Sequence, residues 1–197
     1  MNSKTVALIA VFAALAVVLT ITSPLRIPAP YTPFPFLYYQ IWEIPLVAAF
    51  LLFGPRIGTS IAIVNTAVLL VVFQGSLPTG PLYNLVAVLS MLLGIYIAVK
   101  LASRFKGNSD VLTITSSTAL GIVLRVVVMT VINWSFLRFP PPLGYEMDEA
   151  LLMALLPLIG LFNATVALYT VPLGHFVTKA VSAGVKTTHW SQTKKKA

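Results

Sequence analysis

Long apolar runs broken by short polar stretches dominate the chain. They fall at about Thr5 to Thr22, Phe36 to Phe53, Ile57 to Phe73, Pro81 to Leu101, Val111 to Phe136 and Glu149 to Val177. The second is short when counted only from Ile41, and reaches full length only if Phe36 to Gln40 belongs to it. A helix rises about 1.5 Å per residue, so about 20 residues cross a hydrocarbon layer of roughly 30 Å. The runs are continuous rather than alternating, which favours helices over a barrel. The pattern predicts an all-α integral membrane protein: a single domain over residues 1–197, with six transmembrane helices and a basic tail over 178–197. Lys4 followed by an apolar run and Ala14-Leu-Ala16 also resembles a secretory leader, but five further spans leave little need for one.

Composition strengthens this reading. Hydrophobic residues make up 58% of the chain and charged ones 9%. Soluble domains carry about 25% charged residues, so an ordinary water-soluble globule is excluded. The net charge of +8 matters through its placement. With both termini inside, Lys4, Arg56, Lys100, Arg104, Lys106, Lys179, Lys186 and Lys194 to Lys196 fall on the inner side. Only Arg26 and Arg138 fall outside. The positive-inside rule then places both ends in the cytoplasm. The tail lysines read as an anchor to anionic headgroups, not as a nucleic-acid site.

The outer loops differ from the inner ones. Pro24, Pro28, Pro30, Pro33 and Pro35 stiffen the first, with Tyr31, Phe34, Phe36, Tyr38 and Tyr39 in or beside it. Pro140, Pro141 and Pro142 lie in the third, near Trp134, Phe139 and Tyr145. Two readings stand: an interfacial aromatic belt, or a stiff lid over a small-molecule pocket.

Polar side chains within spans are costly and face a bundle interior or a cavity. They are Gln40, Glu43, Asn65, Asn84, Arg125, Asn133 and Asn163. Asn84 and Asn133 fall toward the outer ends of their helices and Asn163 near mid-span, so the three amides can line an outward cavity. Amides both donate and accept, which suits a flat neutral ligand bearing carbonyls and ring nitrogens. Interhelical hydrogen bonds use the same residues. Arg125 needs a partner, and Glu43 is the one acidic residue inside a span. Asn133-Trp-Ser135 and Asn163-Ala-Thr165 match the glycosylation pattern but lie in spans, so they are chance matches. Ala10 and Ala14 share a face of the first helix and permit close approach of the bundle or of another subunit.

Several chemistries lack their residues. There is no cysteine, no phosphate-binding Gly-Lys-Ser/Thr loop, and only His175 and His189 as histidines. No carboxylate cluster suits metal or acid–base work. An enzyme is not expected, nor a cofactor, nor a stand-alone pump. The job that remains is capture, with energy from a partner.

Taken in order, the motifs resemble a family. The alanine-rich Ala7 to Leu19, Glu43-Ile-Pro45, Phe53-Gly-Pro-Arg-Ile-Gly58, Gly80-Pro-Leu-Tyr-Asn84, Met129-Thr-Val-Ile-Asn133 followed by Tyr145, and Phe162-Asn163 are similar to stretches of the substrate-binding S components of energy-coupling factor (ECF) vitamin transporters. The riboflavin-specific members are the most similar. The resemblance implies an S-component bundle in the plasma membrane of a prokaryote. It further implies riboflavin or a related flavin as ligand, a transmembrane coupling subunit docked on Ala10 and Ala14, and two cytoplasmic ABC ATPases. Asn133 and Asn163 carry over as ligand contacts, and Tyr31 to Tyr39 loosely as the cap. Asn84, Phe36, Tyr38, Tyr39, Gln40 and Trp134 complete the expected binding set. Three places depart from the riboflavin pattern: Val166 where lysine is common, Gln40-Ile-Trp42 where an acidic-Phe-Ser stretch is common, and Val64 before Asn65 where lysine is common. Pantothenate or a thiamine precursor is the other vitamin reading, and a scaffold without ligand the other class.

Overall fold

The computed structural model describes residues 3–22, 27–31, 37–72, 77–104, 109–185 and 190. Phe36, Arg26, Lys106, Lys186 and the tail lysines lie outside the described residues.

Six helices account for nearly all of it: α1 (Ser3–Thr22), α2 (Glu43–Phe53), α3 (Pro55–Val72), α4 (Gly80–Ala102), α5 (Asp110–Phe136) and α6 (Glu149–Val185). All but α2 are long and apolar enough to cross a membrane. At about 1.5 Å per residue α2 spans only about 16 Å, half the hydrocarbon thickness. It starts at Glu43, not near residue 36. Glu43-Ile-Pro45 explains the start: an acidic residue suits a helix N-terminus, and proline in the first turn gives up an N–H that had no helical partner anyway. The residues before it do not extend the helix. They run back as a hairpin, with β1 (Ile27–Pro28) antiparallel to β2 (Tyr38–Tyr39) and the Ala29 N–H donating to the Leu37 carbonyl at 2.8 Å. α6 runs eight residues past the Val177 expected from hydropathy, to Val185.

Helix α2 is apolar on all sides and is buried on all sides, as such a helix must be. Leu46, Val47, Ala49, Phe50 and Leu51 are each at most 1% exposed. They join Ile61 of α3, Leu92 and Ile95 of α4, and Ala167 and Val171 of α6 in the main core. Two glycines let helices meet. A Cβ on Gly94 would strike the Leu120 carbonyl of α5, and one on Gly174 would strike the Val47 side chain of α2. The core fills the end of the bundle where α2 finishes. At the other end α1, α3 and α5 finish, α4 and α6 begin, and the hairpin crosses over.

Candidate functional site

The hairpin is stitched to α6. The Tyr31 and Tyr39 hydroxyls form a short hydrogen bond, and Tyr39 Oη lies 2.7 Å from Thr165 Oγ1. The Tyr39 ring packs on Phe162 at 5.2 Å between centroids. The Tyr169 hydroxyl donates to the Gln40 carbonyl at 2.6 Å. The loop after α5 is fixed likewise: Tyr83 donates to the Leu143 carbonyl at 2.6 Å and Thr79 to the Pro142 carbonyl at 2.5 Å. Both covers are therefore held by side chains in, or just before, the helices beneath them.

Under these covers lies a cavity of about 380 Å³, within the range of small-molecule sites. Its apolar wall comes from Leu69, Leu77, Ala87, Met129, Ile159 and Phe162, among others, with Tyr38, Trp42, Tyr145 and Tyr169 as aromatics. Asn84, Asn133, Asn163, Tyr38 and Gln40 of the expected set all face it. Two others do not. Tyr39 lies behind the wall, its hydroxyl engaged with Tyr31 and Thr165. Trp134 is 43% exposed and lies under the Arg138 guanidinium, 4.4 Å from ring centre to Cζ. It sits one residue along the helix from Asn133, and that step of about 100° turns it away from the cavity.

The amides are not equivalent. Asn84 is exposed in the cavity and makes no side-chain hydrogen bond to any described residue. Asn133 Nδ2 donates to the Met129 carbonyl at 2.6 Å, which leaves its Oδ1 without a partner among the described residues. Asn163 Nδ2 donates to the Ile159 carbonyl at 2.9 Å, while its Oδ1 accepts from Arg125 Nε at 3.1 Å. Asn163 thus ties helices together and lines the void at once. Gln40 Oε1 is buried with no partner among the described residues.

Arg125 and Glu43 are part of this site, and they are partners of each other. Arg125 Nη1 meets Glu43 Oε2 at 2.5 Å, and Nη2 meets Oε1 at 3.0 Å. Their side chains are 4% and 6% exposed, and both line the cavity. The late start of α2 is what matches their depths: Glu43 begins the short helix deep in the bundle, level with the middle of α5. A bidentate pair satisfies both groups where an unpaired charge is very costly. Among the described residues no group of three His, Asp or Glu side chains gathers to hold a metal ion.

A cavity with an amide and ion-pair lining, roofed by tyrosine-rich loops, is the geometry of a binding subunit. The family model for the substrate-specific component of ECF transporters matches residues 4–178. The chain belongs to that family. As an S component it is the part of a transporter that recognises substrate, and ATP hydrolysis is no task of this chain. Its fold agrees with a solved S component of a bacterial ECF transporter, with a TM-score of 0.72 at 22% identity over 95% of this chain and 100% of that one. At that identity the likeness speaks for the fold alone. No curated protein matches the chain.

On α1, Ala13 and Ala16 are buried against the bundle, whereas Ala7, Ala10 and Ala14 are exposed. The small residues of this helix therefore divide into an inward and an outward set.

Proposed function

We propose that this S component captures riboflavin or a closely related flavin from the outer face of a prokaryotic plasma membrane. The bound form then works with a transmembrane coupling subunit, docked on Ala10 and Ala14, and two cytoplasmic ATPases that drive release inside. The topology of this reading is six spans with both termini cytoplasmic, α2 being the half-length span. Its support is the distribution of charge: Lys4, Arg56, Lys100, Arg104 and Lys179 lie toward the end of the bundle away from the cavity, and Arg138 lies at the cavity end.

The observation that carries the ligand is the lining: aromatic and aliphatic walls with amides from α4, α5 and α6. Apolar walls contribute roughly 25 cal/mol per Å² of ring surface buried, and a few polar groups fix orientation. A scaffold protein has no use for a cavity with unpartnered amide atoms. One observation favours a second reading within the same fold. Val166, which lines the cavity, stands where the riboflavin pattern commonly has lysine, and so supports another uncharged vitamin such as a thiamine precursor or, less well for its carboxylate, pantothenate. Mass spectrometry of small molecules carried through purification in detergent tests the assignment. A flavin is the expected result; a different vitamin would transfer the site to the second reading.

A further inference from the structure

The floor of the cavity carries more hydrogen-bonding capacity than the protein uses. Arg125 commits Nε–H to Asn163, one Nη1 hydrogen to Glu43, the other to the Met91 sulfur at 3.6 Å, and one Nη2 hydrogen to Glu43. The second Nη2 hydrogen has no described partner. Each Glu43 oxygen accepts one of these bonds and keeps further lone-pair capacity. A donor and an acceptor thus remain side by side, on two residues that both line the cavity. The guanidinium is held on three edges, so the spare donor has a fixed direction. Asn163, committed at both ends, is a positioning residue for that guanidinium.

Charge narrows what can sit there. Glu43 and Arg125 are the ionised side chains among the described lining residues, and they sum to zero. A ligand edge with net charge would meet no uncompensated counter-charge in a water-poor site. An uncharged edge with N–H beside C=O would complement both spare groups.

We propose that Glu43 and Arg125 are the specificity-determining pair of this site and read a cyclic-imide edge of the ligand, its N–H toward Glu43 and its carbonyl toward Arg125. This rests on the flavin reading above, since the flavin ring carries such an edge at N3. It also ranks the pair ahead of Asn163 as the group that ligand meets at the floor.

The test compares riboflavin with 3-methylriboflavin, in which the imide N–H is replaced by N–CH3, by quenching of flavin fluorescence. Wild type, Glu43→Gln and Arg125→Lys are titrated with both ligands, each variant checked for a monodisperse detergent-solubilised peak. Methylation weakens binding to wild type by about tenfold or more, the scale of one lost hydrogen bond to a charged group. Glu43→Gln weakens riboflavin by a similar factor and leaves 3-methylriboflavin nearly unchanged, because the methylated ligand has already lost the contact. Arg125→Lys, which keeps the charge and loses the fork, weakens both ligands through the carbonyl contact. Equal weakening of both ligands by Glu43→Gln would show a purely structural pair and overturn the proposal. So would the absence of a methylation penalty in wild type, a result that needs no variant to fold. If wild type binds no riboflavin, the flavin reading fails separately. The edge assignment is then decided by lumichrome and lumazine, which carry the same imide: thermal stabilisation by either supports it, and stabilisation by neither overturns it.

Discussion

A buried amide can hold helices together or wait for a ligand, and its spare atoms tell which. Among the described residues Asn133 Oδ1 and the whole amide of Asn84 have no partner, which is why both are proposed as ligand contacts. Replacing Asn133 by leucine is expected to cost about 1–3 kcal/mol of ligand affinity through an unpaired ligand group, and replacing Asn163 by leucine to weaken binding indirectly, by releasing the Arg125 guanidinium that it holds. Isothermal titration on each variant measures this. Unchanged affinity in both would make them structural. The ion pair behaves differently. Removing one partner, as in Glu43→Ala, leaves Arg125 as an uncompensated buried cation and is expected to lower stability by about 3–5 kcal/mol. Thermal unfolding in detergent would register it even without ligand. Much of this was legible in the sequence, because an amide or a charge inside an apolar run has few reasons to be there. The rest of the lining was not. Leu69, Ile159 and Phe162 have the same chemistry as core residues such as Leu92 and Ile95, and nothing local tells a wall from an interior. Trp134 was misplaced because it neighbours Asn133 in sequence, while helical geometry turns the two apart.

Among elements, α2 decides the site. Its eleven residues are too few to cross the bilayer, and that shortness brings the Glu43 carboxylate down to Arg125. Hydropathy could not set this boundary. Residues 37–42 carry no charge and continue the run with Leu37, Ile41 and three aromatics, and they form a hairpin arm only because Tyr39 finds Thr165, more than a hundred residues away. Local pattern does not carry contacts of that range. The five long helices were legible because lipid requires their backbones to be satisfied internally. Helix spacing is likewise fixed at single residues. Gly174 lets α6 lie against Val47 of α2, and a methyl group there would overlap that side chain. Gly174→Ala is expected to destabilise by about 1–3 kcal/mol through overpacking, and to weaken ligand binding as α6 carries Asn163 away from Arg125. A thermal melt paired with a ligand titration checks both parts.

Over the whole molecule, the proposed capture and coupling roles fall on separate surfaces. The cavity lies at the end where the hairpin crosses, and the outward small-residue face of α1 carries Ala10 and Ala14 along the flank. Ala10→Leu with Ala14→Leu is therefore expected to leave ligand affinity within about twofold, the scatter of surface changes. The same variant should lose co-purification of the coupling subunit from cells. Loss of both properties together would mean that the face is needed for the fold itself. Flavin capture is tested most directly by a fluorescence titration of riboflavin with the purified chain in detergent. Saturable quenching at one flavin per chain, weakened by Asn133→Leu, is the expected outcome. Flavin fluorescence unchanged at saturating protein would contradict it.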